Sequence, residues 1–456
     1  MATATRPAPA PDADVPTPGS ASGRIYFGYY IVGAALVAQF IAVGAQASVS
    51  GVFIDPMTTD LDWTKTEFTY AQTINRFLMA FAGVWIGVYV DRLGGRPVML
   101  FGAFVLSASL FSVSFVNELW QWILLRGIIF AVGAAMVGNL VVNVTLSKWF
   151  VDRRGRAIAV AAMGVSLAGV IWPPLMNWII DQSDWRGGWQ AMSVIALVVL
   201  LPASLFMRRM PEDYGLNPDG HSDEALRQGA GDAAAADYRN SFTRAEALRT
   251  KAFYIVVFAF GLGGVGIGVI LLHTIPFLSG EGAQFSRTEA TSLSALMSLL
   301  AFGAKPFWGF LTDKFEPKYL STAAFWLAAA GTFIILAGAD SGSWPALIGG
   351  FALLGWGFGG FIPLQETIWG SYFGRRYLGA VRSVAMPFAL FLGAGGPLAA
   401  SFYVDFIGSY TGVFMTVTAL WALGGAMVLL ITRPTKPSEP TLLEVLTKRP
   451  SSAGPR

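Results

Sequence analysis

Twelve apolar runs, separated by short polar stretches, organise the chain. They lie near residues 26–53, 68–90, 97–116, 119–147, 157–180, 189–207, 252–278, 288–312, 319–338, 344–372, 378–404 and 410–431. Each is long enough to cross a hydrocarbon core about 30 Å thick as a helix. Helices are the default in lipid, which offers no partner to an unpaired backbone group. None of the runs shows the strict alternation of a membrane-barrel strand. The pattern predicts an all-α membrane protein with twelve transmembrane helices in two pseudo-symmetric six-helix bundles. The bundles span 24–210 and 251–433, joined by a cytoplasmic linker at 211–250. Residues 1–23 and 434–456 are rich in Pro, Ala, Ser and Thr and read as tails, the first of them disordered.

Composition narrows the class. Of 456 residues, 54% are hydrophobic and 13% charged, with mean hydropathy +0.55. Soluble domains carry about 25% charged residues, so an ordinary globular enzyme is excluded. The chain has no cysteine, and its only histidines are His221 and His273. That removes thiolate and histidine-rich metal centres, and no nucleophile–base constellation suggests an enzyme. No cofactor is expected.

A net charge of +3 comes from bases that collect in alternate loops: Arg92 and Arg96; Lys148, Arg153, Arg154 and Arg156; Arg208 and Arg209; Lys314 and Lys318; Arg375, Arg376 and Arg382; Arg433 and Lys436. The other loops hold only Lys65, Arg186 and Arg287 among several acids. By the positive-inside rule both termini are cytoplasmic, in a cell membrane. The basic balance then answers to an anionic leaflet, and no nucleic acid is needed to explain it.

The halves repeat. KWFVDRRGRAIAVAAMGVSLAGVIWPPL (148–175) parallels SYFGRRYLGAVRSVAMPFALFLGAGGPL (371–398), each running from an aromatic-Phe pair and a double Arg into a Gly-rich helix. GVYVDRLGGRPVML (87–100) has a weaker echo in GFLTDKFEPKYL (309–320). Two parallel six-helix repeats are the arrangement expected of a rocking transporter.

The most specific short signal runs from Gly87 through Asp91, Arg92, Gly94 and Gly95 to Arg96. Here the carboxylate can sit at the N-terminus of a neighbouring helix and pair with Arg92 or Arg96, while the glycines permit a tight turn. Such a lock would hold one conformation and release in the other. Topogenic charge with turn glycines is the plainer alternative.

This loop resembles the G-x-x-x-D-R-x-G-R-R pattern between the second and third helices of the major facilitator superfamily. Arg126-Gly127 matches that superfamily's fourth-helix arginine, and the resemblance covers residues 24–433. Within it, GYYIVGAALVAQF, SGVFIDPMTTDLDWTKTEF (with Asp62 in place of the usual Gly), MPEDYGLNPDG, the His273-Thr-Ile-Pro-Phe-Leu run and Tyr372-Phe-Gly-Arg375-Arg376 resemble the monocarboxylate-transporter and oxalate/formate-antiporter branch. The resemblance implies a twelve-helix transporter. It also implies that the position of Lys305, which precedes Pro306, holds a substrate carboxylate where the branch has Arg-Pro. Arg375 and Arg376 resemble the tenth-helix exit and join Gly87, Asp91, Arg92, Gly94 and Arg96 as gating candidates.

Charges inside membrane runs are costly and default to functional hypotheses. Lys305 is the first; its alternative is to snorkel toward Asp313. Arg76 lies fifteen residues before Asp91, about 22 Å along a helix, too far to reach the cytoplasmic loop. It is a substrate or coupling candidate, or it reaches the outer interface. Arg126 is either a proton-coupling and gating arginine or an anchor for helix four. Glu366 is the candidate proton carrier if desolvated, and structural if a base pairs with it. His273 either titrates in the cavity or ties two helices. Asn139 and Asn143 share a helix-four face, and Gln39 and Gln46 a helix-one face, lining a wet cavity or bonding helices together.

The expected function is secondary transport by alternating access of a small organic anion, a monocarboxylate in the first instance, by proton symport or anion exchange. The protein is expected to act as a monomer in the bilayer. A broad-specificity drug or metabolite exporter is the alternative, and a non-transporting receptor a remote one.

Overall fold

A computed structural model describes residues 25–222, 232–279 and 285–435. The N-terminal tail and nearly all of the C-terminal tail lie outside the described residues, as do 223–231 within the linker.

Among the described residues all regular structure is helical. The first half comprises α1 (Phe27–Val43), α2 (Lys65–Leu93), α3 (Gly95–Val113), α4 (Leu119–Trp149), α5 (Arg154–Gln182) and α6 (Trp185–Phe206). The second comprises α7 (Lys251–Ser279), α8 (Arg287–Thr312), α9 (Pro317–Ser341), α10 (Trp344–Phe373), α11 (Leu378–Ile407) and α12 (Thr411–Leu429). Eleven qualify as membrane spans by length and hydropathy, and α11, 30 residues long, completes the twelve. The exterior is apolar: Trp85, Leu299, Val198 and Phe104 are each more than 60% exposed. Bands of this kind are stable only against lipid.

Local chemistry sets the starts. Thr64 accepts from Glu67 N (3.2 Å) and its own N–H donates to the Glu67 carboxylate (2.8 Å), a capping box that opens α2. Ser286 and Glu289 repeat the device at α8, the equivalent helix of the other half. Gly94 joins α2 to α3 at φ +85°, a conformation that side chains avoid.

The first apolar run is not one helix. It loosens at Gly44–Ser48 into a π-helical turn and resumes as Ser50–Asp60. That second segment packs on α6: the Phe53 and Trp189 rings lie 4.0 Å apart, and Trp185 donates to Asp60 (3.0 Å).

The linker is structured as well. It has single turns at Glu212–Tyr214 and Pro218–Gly220 and helices at Asp232–Arg239 and Arg244–Ala247. It lies on the same end of the molecule as the start of α1 and the end of α12, here termed the basic face.

Candidate functional site

On the basic face the halves are closed against each other by backbone contact. Glycine at 87 and 379 lets α2 and α11 touch, since a Cβ built on either would strike the other's carbonyl oxygen. Gly155 and Gly309 do the same for α5 and α8. Where the same helices run toward the opposite face, Gly169 on α5 and Gly395 on α11 have open space beside them. The halves are therefore shut against each other at the basic face.

Carboxylates lock the shut face in a two-fold pattern. Asp91, at the end of α2, accepts from the N–H groups of Gly379 (3.2 Å) and Ala380 (2.7 Å), capping α11 of the other half. Asp313, at the end of α8, pairs with Arg156 in the first turn of α5. Burial pushes the Asp313 carboxyl above the usual carboxylate range, against the pull of Arg156. Asp91 takes its charge partner from Lys148 (2.7 Å), not from Arg92 or Arg96, both of which are exposed. Lys148 is 1% exposed, so a buried carboxylate found the buried base.

The linker spans the seam. Asp219 holds its first part to the α4–α5 loop, accepting from Val151, Asp152 and Arg153 N–H groups at 2.8–3.0 Å. Asp237 pairs with Arg154 of the first half (3.2 Å) and accepts from Arg375 N of the second (3.1 Å). Arg244 donates to Val84 O on α2 (3.0 Å) and Ala380 O on α11 (3.2 Å). Arg375, 3% exposed, crosses back to Lys148 O (2.9 Å) and Glu212 (2.5 Å), whereas Arg376 is exposed. Sequence reasoning read 211–250 only as a connection and missed Asp237 and Arg244. The legible sign was the Thr243-Arg-Ala-Glu246 capping box.

Deeper in, Lys305 is 4% exposed and donates to Ser166 Oγ of α5 (2.6 Å), across the two halves. Among the described residues no carboxylate lies within ion-pair reach of it. Arg76 is exposed and lines a polar cavity of about 180 Å³ with Gln46, Gln72, Asn75 and Arg126. Gln72 and Asn75 carried no sequence signal beyond their polarity.

Arg126 is buried and donates to Ala45 O (2.6 Å) and Gln46 O (3.1 Å), with its guanidinium 3.9 Å from the Phe130 ring centre. These carbonyls belong to the π-helical turn of the first span, where regular helical bonding is interrupted. Gln46 itself donates to Met79 Sδ (3.0 Å).

The remaining candidates divide. Glu366 is gripped by Arg382, with contacts of 2.8 and 3.2 Å, so Arg76 is not its partner. His273 Nε2 meets Pro397 O at 3.1 Å, tying α7 to α11. Gln39 and Asn143 are buried with both amide atoms unpartnered, while Asn139, one turn before Asn143, is exposed. A buried ammonium between two bundles, bonded to one hydroxyl, can attract and hold an anion.

Comparison with known proteins gives a consistent family. The model described as "Major Facilitator Superfamily" matches residues 35–302 and 274–453. The oxalate:formate antiporter of Oxalobacter formigenes is 24% identical over 417 residues, covering 90% of this chain and 93% of that one. The agnestins efflux protein AgnL12 of Paecilomyces divaricatus is 30% identical over 166 residues, 36% of this chain and 37% of its own. Among solved structures, the proton:xylose symporter XylE bound to 6-bromo-6-deoxy-D-glucose superimposes with TM-score 0.69 at 11% identity, covering 90% and 96% of the two chains.

Proposed function

We propose, for a chain that belongs to the Major Facilitator Superfamily and is a membrane transporter, that its cargo is a small organic anion, a monocarboxylate in the first instance. Lys305 carries this reading: an ammonium 4% exposed, at the junction of the halves, whose described partner is one hydroxyl, that of Ser166. A buried charge of this kind is expensive to keep unless it meets an opposite charge during the working cycle. The oxalate:formate antiporter named among its relatives adds support.

With the basic face assigned to the cytoplasm of a cell membrane, both termini lie inside and the conformation described is closed on the cytoplasmic side. Anions enter from outside, meet the Arg76 cavity and displace Ser166 from Lys305. Arg126 holds the π-helical turn of the first span at the cavity wall, and Gln39, Gln46, Asn139 and Asn143 supply polar contacts as the halves rock. His273 steadies α7 against α11. The carboxylate locks of Asp91 and Asp313 part when the basic face opens.

Exchange of one anion for another is the coupling favoured. Arg382 occupies the Glu366 carboxylate in this state, so a proton-carrying Glu366 requires that pair to separate in the other. A monomer contains both halves of the site. A second reading, export of larger organic molecules, draws on the efflux relative.

Uptake into proteoliposomes from a panel of labelled mono- and dicarboxylates tests the proposal, with wild type and Lys305→Gln compared with and without a proton gradient. Saturable uptake lost in the variant is the expected result. Wild-type vesicles that move no carboxylate but accumulate amphipathic drugs would overturn it in favour of export.

A further inference from the structure

The basic face holds a second cavity, of about 950 Å³, between α2, the α10–α11 loop and the linker. Its charges are unevenly matched. Each acid on its wall already has a base: Asp91 pairs with Lys148, Glu212 with Arg375, and Asp213 with Arg209 through two 2.7 Å bonds. Arg209 accordingly holds the Asp213 carboxyl below its usual range. Three arginines on the same wall are left over. Among the described residues Arg92, Arg239 and Arg376 have no carboxylate within ion-pair distance.

These three come from three separate parts of the molecule. Arg92 ends α2 in the first half, Arg376 leads into α11 in the second, and Arg239 ends the linker helix between them. Arg376 is also steadied, with its guanidinium 5.1 Å from the Tyr238 ring centre and 5.0 Å from that of Tyr377. Guanidinium groups present forked donors that match phosphate oxygens. One multivalent anion would satisfy all three and join both halves to the linker.

From this arrangement we infer that the basic-face cavity is a binding site for a phosphate-bearing anion, which fastens the halves in the closed-face conformation. The chemistry fits a free polyphosphate or the headgroup of an anionic phospholipid at the membrane surface. It does not depend on the identity of the transported substrate.

Thermal unfolding of the purified full-length protein, followed by its tryptophans, tests the site with two probes. One is inorganic pyrophosphate, against chloride at matched ionic strength. The other is phosphatidylglycerol in mixed micelles, against phosphatidylcholine. A saturable rise in unfolding midpoint is expected, weakened at least about tenfold in apparent affinity when Arg92, Arg239 and Arg376 are all changed to Gln. Arg433→Gln, which breaks a pair with Glu316 on the same face away from the cavity, should respond as wild type does. A pyrophosphate response lost in the triple variant supports a soluble anion, and a response to phosphatidylglycerol alone, likewise lost, supports a lipid headgroup. No response to either probe, or an undiminished one in the triple variant, overturns the inference. Should the triple variant fail to fold, Arg239→Gln, at an exposed position of the linker helix, carries the same comparison.

Discussion

Asp91 is bonded twice over, and the two bonds do different work. Its pairing with Lys148 joins α2 to α4 inside the first half and survives any rocking of the halves. Its acceptance of the Gly379 and Ala380 N–H groups joins the halves and exists only while the basic face is shut. Asp91→Ala alone would leave Lys148 buried without a counter-charge, costing about 3–5 kcal/mol in every conformation. That variant would report folding, not gating. The informative variant is Asp91→Ala with Lys148→Met, which removes both charges and leaves the Lys148 carbonyl for Arg375. What is then lost is one helix cap with its dipole interaction, about 2 kcal/mol, borne by the closed-face state alone. A difference of that size shifts a two-state equilibrium about 30-fold, moving a population of roughly 97:3 to near parity. The chain has no cysteine, so spin labels at Arg96→Cys and Lys314→Cys, exposed on the basic face of opposite halves, report the separation directly. The double variant should show a second, longer distance in comparable amount. A single distance distribution identical to that of the parent, in a well-folded sample, would falsify the assignment of Asp91 as a state-specific lock.

Three further outcomes are expected. Lys305→Gln should abolish saturable anion uptake while leaving the unfolding midpoint unchanged or raised, because an uncompensated buried charge is removed; a lowered midpoint with intact uptake would make Lys305 structural. Gly155→Val places side-chain atoms where Thr312 and the Gly309 carbonyl stand, so the same spin-label pair should lengthen and transport should stop, as measured by flux and distance together. Arg244→Ala removes two charge-assisted bonds to carbonyls on α2 and α11, each worth about 1.5–3 kcal/mol. Limited proteolysis of the linker should then accelerate, and an unchanged cleavage rate would count against its bridging role.

The helical architecture was legible because lipid makes backbone satisfaction and apolar length nearly sufficient criteria. The π-helical turn at Gly44–Ser48 was not, since the apolar run continues through it and the Arg126 guanidinium that meets its Ala45 and Gln46 carbonyls comes from a helix some 80 positions away. The Asp91 motif announced a carboxylate near a helix N-terminus, and the structure supplies one. Its charge partner was misjudged because neighbours in sequence, Arg92 and Arg96, point outward, whereas Lys148 is brought in by tertiary packing. Glu366 could be read only as an alternative between carrier and ion pair; its partner Arg382 had been visible as one more basic residue of the positive face. The sequence echo between 87–100 and 309–320 was faint. It nevertheless marks the two carboxylates, Asp91 and Asp313, that act on equivalent first turns of α11 and α5.

That equivalence explains why the closed face relies on capped helix ends, glycines and ion pairs and not on an apolar seam alone. Under the rocking cycle proposed above, a state that opens repeatedly cannot be much more stable than its alternative. An apolar seam exposed to water costs about 25 cal/mol for each Å² uncovered, so even a modest one of about 400 Å² would hold the face shut by about 10 kcal/mol. Carboxylates, guanidinium groups and helix N–H groups at the membrane surface recover hydration when they separate, and the net loss per contact is about 1 kcal/mol. Close backbone approach at Gly87–Gly379 and Gly155–Gly309 gives the face a definite stopping point without adding a large apolar area. Pairing the same device on both sides of the pseudo-two-fold axis lets the halves part about a common line. The linker ties of Asp237 and Arg244 then set how far the balance leans toward closure.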